Sequence, residues 1–237
     1  MNAVIDQLYR GRGPSGEPLA NAGTHVQEGA GRMLYDLVRR KGLRQTAEVG
    51  LAYGASALFV CQALADGGGG LHTAIDPFQD ERYDGLGVRS VEQAGLGEHF
   101  RWIDAPSHAA LAQMLAEGGA GSLDLVFVDG SHKFDYALVD FFYADLLVRP
   151  GGFVAFDDLW MPGVLRVVNF VLRNRDYALV PVESGRYSSA ARRAGRVLRR
   201  LAGGWRLDGR LRRYALNTCV LQKRGDDARA WDAHRSF

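Results

Sequence analysis

Acidic residues stand at four places where short predicted strands end. They are Glu48, Asp76, Asp129 and the Asp157-Asp158 pair, and each closes an apolar run. Ligands of open α/β sheets bind outside the carboxyl ends of the strands, so acids at these positions can reach a shared site. Because helix N-caps also favour Asp, each acid alone could be a cap. Four such ends together favour a ligand site over capping alone.

The first strand leads into a glycine-containing turn with the spacing E-x-G-x-x-x-G-x-S. This turn contains Glu48, Gly50, Gly54 and Ser56, and an apolar helix follows from Ala57 to Ala65. Glycine suits a backbone with positive φ or a close approach to a ligand. The helix N-terminus offers unpaired N–H groups to a carboxylate or phosphate. Neither the G-x-G-x-x-G turn of dinucleotide enzymes nor the P-loop spacing is present, which argues against an oxidoreductase. A tight turn without a ligand is the alternative.

The second and third strands suggest contacts to a nucleoside. The carboxylate of Asp76 can accept both protons of a ribose diol, although an Asp before Pro77 is also a common turn residue. Ser107 and His108 follow the third strand, where the edge of an adenine ring would lie. N-capping of the helix predicted from Ala109 explains them equally well.

The segment Asp129-Gly130-Ser131-His132 is the second candidate for chemistry. An imidazole with a near-neutral pKa can take a proton from a hydroxyl nucleophile, so His132 is a candidate general base. The carboxylates of Asp129, Asp157 and Asp158 favour a hard divalent cation, Mg²⁺ or Ca²⁺. The alternatives are a loop histidine, an Asp157 that contacts a ligand or caps the loop, and an Asp158 that faces water.

Strand and helix patterns alternate along most of the chain. This alternation predicts an α/β fold with a doubly wound, mostly parallel sheet. The predicted strands are Gln45–Val49, Leu71–Ile75, Phe100–Ile103, Leu123–Val128, Phe153–Phe156, Tyr177–Val182 and Tyr214–Gln222. The predicted helices are Gly29–Arg40, Ala57–Ala65, Val88–Ala94, Ala109–Ala116, Phe134–Leu147, Gly163–Asn174 and Ser188–Ala202.

Composition describes an ordinary globular chain of 237 residues, with 47% hydrophobic and 24% charged residues. Cys61 and Cys219 fall in apolar segments, which is typical of buried free thiols in a reducing compartment. Neither a secretory signal nor a membrane-spanning run is recognisable, so we expect a cytoplasmic protein.

Charge is unevenly distributed, because the segment 183–214 holds ten arginines and two acids while the whole chain carries +2. Such a segment could bind an anionic acceptor, an anionic membrane or a nucleic-acid backbone. A solvated basic helix, or one that faces a partner in a homodimer, is the alternative. Few aromatic residues interleave with the arginines, which makes nucleic acid the weaker candidate.

Taken in order, these motifs resemble class I S-adenosylmethionine-dependent methyltransferases. The strings are Glu48–Ser56, Ala74–Gln79, Phe127–His132, Phe134–Tyr136 and Arg149–Asp158. They are similar to a bacterial branch distantly related to catechol O-methyltransferase. The resemblance covers about Leu34 to Val182 and resumes from Tyr214 to Phe237.

The resemblance implies a role for each motif residue. Gly50, Leu51 and Ser56 would surround the methionine moiety, and Glu48 would approach its amino group. Gly54 would also belong to the cofactor-binding set. Asp76 would bind the ribose, while Ser107 and His108 would flank the adenine. In the catechol enzymes the residues matching Asp129, Asp157 and Asp158 hold Mg²⁺, with Asn at the last position. A lysine serves there as base at the position of His132.

The resemblance therefore implies a seven-stranded Rossmann-like sheet with an antiparallel last strand. It also divides the chain into four segments. These are a helical segment over the active site (1–43), a cofactor-binding core (44–182), the arginine-rich insertion (183–213) and a last strand with a tail (214–237). The implied activity is O-methylation of a small-molecule acceptor, with N-methylation as a variant. The competing hypothesis is a non-catalytic adaptor that binds nucleic acid or membrane through its arginines.

Overall fold

A seven-stranded, doubly wound sheet forms the centre of the computed structural model, which describes residues 2–21, 23–202 and 207–237. The strands run in the order β3-β2-β1-β4-β5-β7-β6, and β7 is antiparallel to both of its neighbours. The predicted fold class is therefore confirmed. The strands are β1 (Gln45–Val49), β2 (Leu71–Ile75), β3 (Phe100–Ile103), β4 (Leu123–Val128), β5 (Val148–Phe156), β6 (Tyr177–Leu179) and β7 (Cys219–Lys223).

Helices cover both faces of the sheet. They are α1 (Ala3–Tyr9), α2 (Glu28–Lys41), α3 (Ala55–Asp66), α4 (Gln79–Tyr83), α5 (Leu86–Gln93), α6 (Ser107–Met114), α7 (Phe134–Leu147), α8 (Pro162–Asn174), α9 (Ser184–Tyr187), α10 (Ala190–Ala202) and α11 (Gly209–Arg213). Helix α7 packs between α6 and α8, whereas α2 packs on α3. Within the described ranges, no helix combines the length and hydropathy needed to span a membrane.

The central strands are apolar because helices cover them on both sides. In β4, Leu125, Val126 and Phe127 are each at most 1% exposed, as expected for a parallel strand with two buried faces. The chain reverses its winding direction between β1 and β4, which lie side by side. This switch point opens a crevice at the carboxyl ends of the strands, where the loops after β1 and β4 meet.

Three strand boundaries differ from the predicted ones. The strand predicted from Phe153 already begins at Val148, since Val148 pairs with Leu123 before a register shift. Strand β6 ends at Leu179. The last strand begins at Cys219 and not at Tyr214, because the preceding residues bond to Arg200 and to two acidic side chains instead of joining the sheet.

The predicted helix Ser188–Ala202 corresponds to α10. Trp205 and Arg206 belong to the arginine-rich segment of the sequence and lie outside the described residues. The remaining part of this segment includes the short helices α9 and α11. Both fall in stretches for which the sequence pattern predicted no helix.

Candidate functional site

A cavity of about 830 Å³, the strand-end cavity, opens at the carboxyl ends of β1, β2, β4 and β5. The predicted site residues that line it come from the loops that follow these strands and from the start of α6. They are Gly50, Leu51, Ser56, Asp76, Ser107, His108, Asp129, His132, Asp157 and Asp158. Glu48 and Gly54 are absent from its described wall. The fold thus gathers ten of the twelve predicted site residues.

The turn after β1 approaches the β4 loop so closely that a side chain would not fit between them. At Gly50 the backbone has φ +90°, and an added Cβ would lie 2.4 Å from the Asp129 carbonyl oxygen. Gly54 also has positive φ, but its α-carbon faces the backbone of Gly87. The two glycines therefore serve different contacts. Gly50 shapes the cavity, whereas Gly54 allows α5 to pack against the turn.

Asp76 holds the turn after β1 in place. One carboxylate oxygen accepts hydrogen bonds from the backbone N–H groups of Leu51 and Ala52, both at 3.0 Å. Gln79 Nε2 donates to the same oxygen at 3.1 Å, and the Phe78 N–H donates to the other at 2.8 Å. Since a carboxylate offers about four acceptor positions, a ribose diol would have to share or replace these donors.

Ser107 and His108 begin α6 and line the cavity next to a buried acid of α7. Asp140 is 1% exposed, and its Oδ1 has no hydrogen-bond partner among the described residues. Burial raises the pKa of Asp140 to about 6, while a hydrogen bond from Ser107 and the nearby His108 oppose this shift. Asp140 therefore links α7 to the predicted adenine contacts, a role that the sequence did not reveal.

Asp129, His132 and Asp158 form an acid–histidine cluster at the mouth of the β4 and β5 loops. One ligand atom from each residue lies within 4.8 Å of the other two, a spacing that suits a metal ion. His132 Nε2 is 3.0 Å from Asp158 Oδ2 and 3.7 Å from Asp129 Oδ1. The sequence predicts Asp157 as the third ligand beside Asp129 and Asp158, whereas the structure groups His132 with these two acids.

Charges within the acid–histidine cluster shift its pKa values strongly. The carboxylates of Asp129 and Asp158 raise the pKa of His132 to about 10. Burial, together with Asp157 and Asp158, raises the pKa of Asp129 to about 8. The pKa of Asp158 is lowered, chiefly by hydrogen bonds with His132, Asn217 and Trp160 that outweigh its burial. Because Asp129 and His132 titrate as a coupled pair, the pair holds a proton at neutral pH that a cation would displace.

Two polar residues before β7 orient the Asp157-Asp158 pair. Asn217 Nδ2 donates to Asp158 Oδ1 at 2.9 Å and to Asp157 Oδ1 at 3.4 Å. The Thr218 hydroxyl also donates to Asp157 Oδ1. Burial raises the pKa of Asp157. We call Asn217 and Thr218 the β7 clamp. Neither residue belongs to a recognisable sequence motif, so the sequence does not predict the clamp.

Glu48 lies on the other side of β1 from the cavity. It is fully buried, and its Oε1 is 3.3 Å from Nε2 of His72 on β2. Residues two apart in a strand share a face, and Thr46 bonds to the same histidine ring at 2.9 Å. The predicted contact between Glu48 and the methionine amino group thus has no counterpart in the described wall of the cavity.

The loop between α1 and α2 contributes a further part of the wall. Its lining residues are Gly23, Thr24, His25, Val26 and Gln27. The Tyr9 hydroxyl of α1 donates to the Val26 carbonyl at 2.7 Å, and the Asn21 N–H donates to the Tyr53 hydroxyl at 3.2 Å. The prediction for residues 1–43 is a helical segment over the active site, but the residues of this segment that line the cavity lie between α1 and α2.

Several arginines of the insertion bond to the protein itself. Arg200 is 8% exposed and donates to the carbonyls of Leu211, Tyr214 and Leu216. Arg196 donates to Gln27 Oε1 at 3.3 Å. Among the described residues, none of the insertion's arginines lines the strand-end cavity. Part of the positive charge therefore anchors the insertion instead of facing a partner.

Comparison with known proteins agrees with this geometry. A family described as a methyltransferase domain matches residues 47–159, the stretch that carries β1 to β5 and most of the cavity wall. The match covers slightly less than half of the chain and makes its core similar to a methyltransferase domain. The domain ends just after Asp158, so the β7 clamp and the loop between α1 and α2 lie outside the matched region.

Among curated proteins, the chain is similar to plant enzymes. The chain is 30% identical over 160 residues to caffeoyl-CoA O-methyltransferase 2 of Petunia hybrida, covering 63% of this chain and 62% of the relative. It is also 30% identical over 160 residues to caffeoyl-CoA O-methyltransferase 1 of Nicotiana tabacum, covering 63% of each chain. The matched part thus spans somewhat less than two thirds of the length of these relatives.

Solved structures share the fold of the methyltransferase domain. An O-methyltransferase from Bacillus cereus, in complex with SAH, superposes with a TM-score of 0.62 at 18% identity and covers 76% of this chain and 83% of its own. The O-methyltransferase TomG from Streptomyces achromogenes, in complex with SAM, gives 0.61 at 21% identity, with 76% and 82% covered. At 18% and 21% identity, these superpositions show that the chain has the same fold as the two structures.

Proposed function

We propose that the protein transfers the methyl group of S-adenosylmethionine to a hydroxyl oxygen of a small-molecule acceptor. The observation that carries the proposal is the strand-end cavity, which joins the β1 turn and Asp76 to the acid–histidine cluster. The names of the curated relatives and the SAM and SAH complexes of the structural neighbours support the same chemistry.

The residues present fit the cofactor. Gly50 lets the β1 turn approach the β4 loop closely and so shapes the cavity, and Ser56 lies in the first turn of α3, where N–H groups are unpaired. These residues and Leu51 would hold the methionine part, and Asp76 the ribose. When bound, S-adenosylmethionine supplies an electrophilic methyl carbon on a good leaving group. The protein has to position the acceptor and exclude water.

The donor set of the acid–histidine cluster also fits a divalent cation. Carboxylate oxygens with one imidazole nitrogen suit Mg²⁺, Mn²⁺ or a similar ion. Asp129 and Asp158 would hold it, with either Asp157 or His132 completing the set. When bound, the cation would supply positive charge that favours the ionised form of an acceptor hydroxyl.

We propose His132 as the general base. A neutral imidazole can accept the proton of an acceptor hydroxyl, yet the pKa of His132 is about 10 beside two carboxylates. It would act as base only when the charge of Asp129 and Asp158 is neutralised. Base and metal ligand are therefore competing roles for the same ring.

The activity is tested by transfer of a labelled methyl group from S-adenosylmethionine to hydroxylated acceptors. Caffeoyl-CoA is the first acceptor to use because the curated relatives carry its name, and simple catechols come next. Assays with Mg²⁺, with Mn²⁺ and with chelator show whether turnover needs a cation. Folded protein that binds no S-adenosylmethionine under any of these conditions would contradict the proposal.

His132→Asn separates the two roles of the histidine. If His132 is the base, Mn²⁺ affinity stays within about twofold, while turnover falls by about 10²–10⁴. If it is a ligand, Mn²⁺ affinity falls about tenfold or more. Asp129→Asn is the matched variant that weakens Mn²⁺ binding in either case. The affinity of each variant for S-adenosylmethionine checks that the β1 turn is intact.

A further inference from the structure

Helix α10 turns most of its arginines toward the protein. It contains five arginines and no acid. Arg193 donates to the Ser188 carbonyl at 2.6 Å, and Arg196 donates to the hydroxyl of the same serine at 3.0 Å. Arg200 is 8% exposed. These three positions follow the i, i+3, i+7 spacing of one helix face, so the side of α10 that contacts the protein is a charged side.

The outward side of α10 is apolar. Leu198 and Leu201 are exposed by 65% and 54%, and Ala191 and Ala194 are exposed as well. At 3.6 residues per turn, these four residues lie within about 80° of one another around the helix axis. A surface helix normally has the opposite arrangement, with its leucines inward and its charges in water. We call these four residues the α10 stripe.

Two further arginines border the α10 stripe on one side. Arg192 and Arg199 are exposed and stand two helical turns apart, so they form a row along the helix. Among the described residues, no acid lies within ion-pair distance of either guanidinium. This row of positive charge is therefore open to an anionic partner.

We propose that α10 is a docking surface for a bilayer that contains anionic lipids. In this arrangement the helix lies in the plane of the bilayer surface, with the α10 stripe between the lipids just below the headgroups. Arg192 and Arg199 then donate to lipid phosphates. Docking of α10 is independent of the reaction in the strand-end cavity.

The composition and length of α10 are those of a helix that lies on a membrane. Such helices combine a row of arginines or lysines with leucines on the other side, and their overall hydropathy is low. A helix of 13 residues extends about 20 Å, which is too short for the roughly 30 Å of a hydrocarbon core. Helix α10 therefore suits the surface of a bilayer and not its interior.

Other partners fit this surface less well. A nucleic-acid backbone would contact the arginines, but it offers nothing apolar to the α10 stripe, and α10 contains no aromatic residue on which a base could stack. A second copy of the chain would bring two rows of like charge together, because α10 has no acid to pair with them. Anionic headgroups above apolar chains match the arginine row and the stripe at once.

Co-sedimentation of the full chain with lipid vesicles tests the proposal. We expect binding to phosphatidylcholine vesicles that contain about one third phosphatidylglycerol, and binding about tenfold weaker, or less, to phosphatidylcholine alone. Raising the salt concentration from about 0.1 M to about 0.5 M should weaken the binding, because salt screens exposed charges. A wild type that does not bind anionic vesicles, or that binds both kinds equally, would overturn the proposal.

Two double variants separate the two parts of the surface. Arg192→Gln with Arg199→Gln should weaken vesicle binding about 25-fold, at roughly fivefold for each charge. Leu198→Ser with Leu201→Ser should weaken it about tenfold or more, because two apolar side chains no longer enter the bilayer. Full binding by either double variant would contradict the proposal. Tighter binding to duplex DNA, unaffected by the leucine changes, would identify a nucleic-acid backbone as the partner instead.

Matched changes on other elements serve as controls. Arg89→Gln with Arg101→Gln removes the same charge from α5 and β3. Val139→Ser with Leu146→Ser removes two side chains of α7 that are 40% and 39% exposed. Both controls should bind vesicles like the wild type. A control that loses as much binding as its α10 counterpart would show that overall charge or hydropathy, and not α10, is responsible.

A fluorescent label reports whether the α10 stripe enters the bilayer. In Leu198→Cys, labelled with an environment-sensitive bimane dye, the emission should shift to the blue when anionic vesicles are added. Leu146→Cys, labelled in the same way, is the control and should show no shift. The native Cys61 and Cys219 are both buried and provide little background. An unshifted emission from vesicle-bound Leu198→Cys would exclude insertion of the stripe, and with it the proposed docking.

Discussion

At the scale of single residues, the acid–histidine cluster is a site that remains partly protonated near neutral pH. His132 and Asp129 both have pKa values raised into or above the neutral range, to about 10 and about 8. Metal ligands must be deprotonated before they bind, so cation binding here has to release protons. This property distinguishes the cluster from a set of surface carboxylates, which would be ionised already.

Cation affinity should therefore depend strongly on pH. We expect the affinity for Mn²⁺ to rise between about pH 6 and pH 9 as the protons of Asp129 and His132 become easier to displace. Calorimetric titrations in buffers of different ionisation enthalpy would count the protons released. Release close to zero at pH 7 would show that the cluster is not the binding site, or that its pKa values are unshifted.

Gly50 offers a second test at this scale. In Gly50→Ala the new methyl group would meet the Asp129 carbonyl oxygen, and the backbone would remain at positive φ. We expect loss of S-adenosylmethionine affinity in addition to a strain of about 1–2 kcal/mol. Calorimetry measures the affinity, and chemical denaturation measures the free energy of unfolding.

Gly42→Ala is the matched control for this variant. Gly42 also has positive φ, at +62°, but an added Cβ would find open space around it. It should lose a similar amount of stability through backbone strain and keep its affinity for the cofactor. Equal affinities in the two variants would contradict a role of the close contact between Gly50 and Asp129 in shaping the cofactor site.

The sequence predicts chemistry at strand ends better than it predicts side-chain direction. Asp76, Asp129 and Asp158 follow their strands and reach the cavity. Glu48 precedes the last residue of β1, and the alternation of the strand turns it toward His72 instead. A family motif places such a residue in the chain but does not fix which face of the sheet it occupies.

At the scale of elements, α10 acts as an anchor for the segment before β7. The guanidinium of Arg200 donates hydrogen bonds to the carbonyl oxygens of Leu211, Tyr214 and Leu216. The β7 clamp begins at the next residue, Asn217. Each backbone oxygen that is buried without a partner costs about 1–3 kcal/mol. Arg200 therefore supports the clamp indirectly, through the backbone that precedes it.

Arg200→Met should reduce both stability and cation binding. The variant leaves three carbonyls without their donor and allows the β7 clamp to move away from Asp157 and Asp158. We expect a lower free energy of unfolding and a weaker affinity for Mn²⁺. Arg199→Met, on the exposed side of the same helix, is the control and should change neither. Identical behaviour of the two variants would rule out the anchoring role.

Local patterns explain why this anchor could not be predicted. Helices and parallel strands follow from periodicity over about ten neighbouring residues. The contacts of the β7 clamp join residues 59 to 61 positions apart, and no local spacing encodes them. The same holds for the cavity wall formed by residues 23–27. The sequence therefore specified the sheet and the strand-end acids but not the groups that orient them.

At the scale of the whole molecule, the protons of the cluster link stability to pH. The folded pKa of His132, about 10, lies above the usual histidine value of about 6.5, so its contribution is complete below pH 6.5. That contribution is lost as the pH rises through 10. The raised pKa of Asp129 acts in the same direction, because the folded state binds that proton more tightly.

We therefore expect the metal-free protein to melt at a lower temperature at pH 9.5 than at pH 6.5. Each 1 kcal/mol of lost stability corresponds to about 2–4 °C in a chain of this size. Thermal unfolding in chelator at the two pH values measures the difference. In His132→Asn the difference in melting temperature between the two pH values should be smaller. An equal difference in the variant and the wild type would show that the imidazole is not its cause.

The position of β7 also determines how late in synthesis the sheet can be completed. β7 is the last strand to leave the ribosome, yet it lies between β5 and β6. Until residues 219–223 emerge, β5 is an open edge whose unpaired backbone N–H and C=O groups can bond to other chains, and β6 lacks the strand with which it pairs. The two residues of the β7 clamp directly precede β7, so they leave the ribosome just before it. A nascent chain therefore completes its sheet and orients Asp157 and Asp158 at the same stage of synthesis.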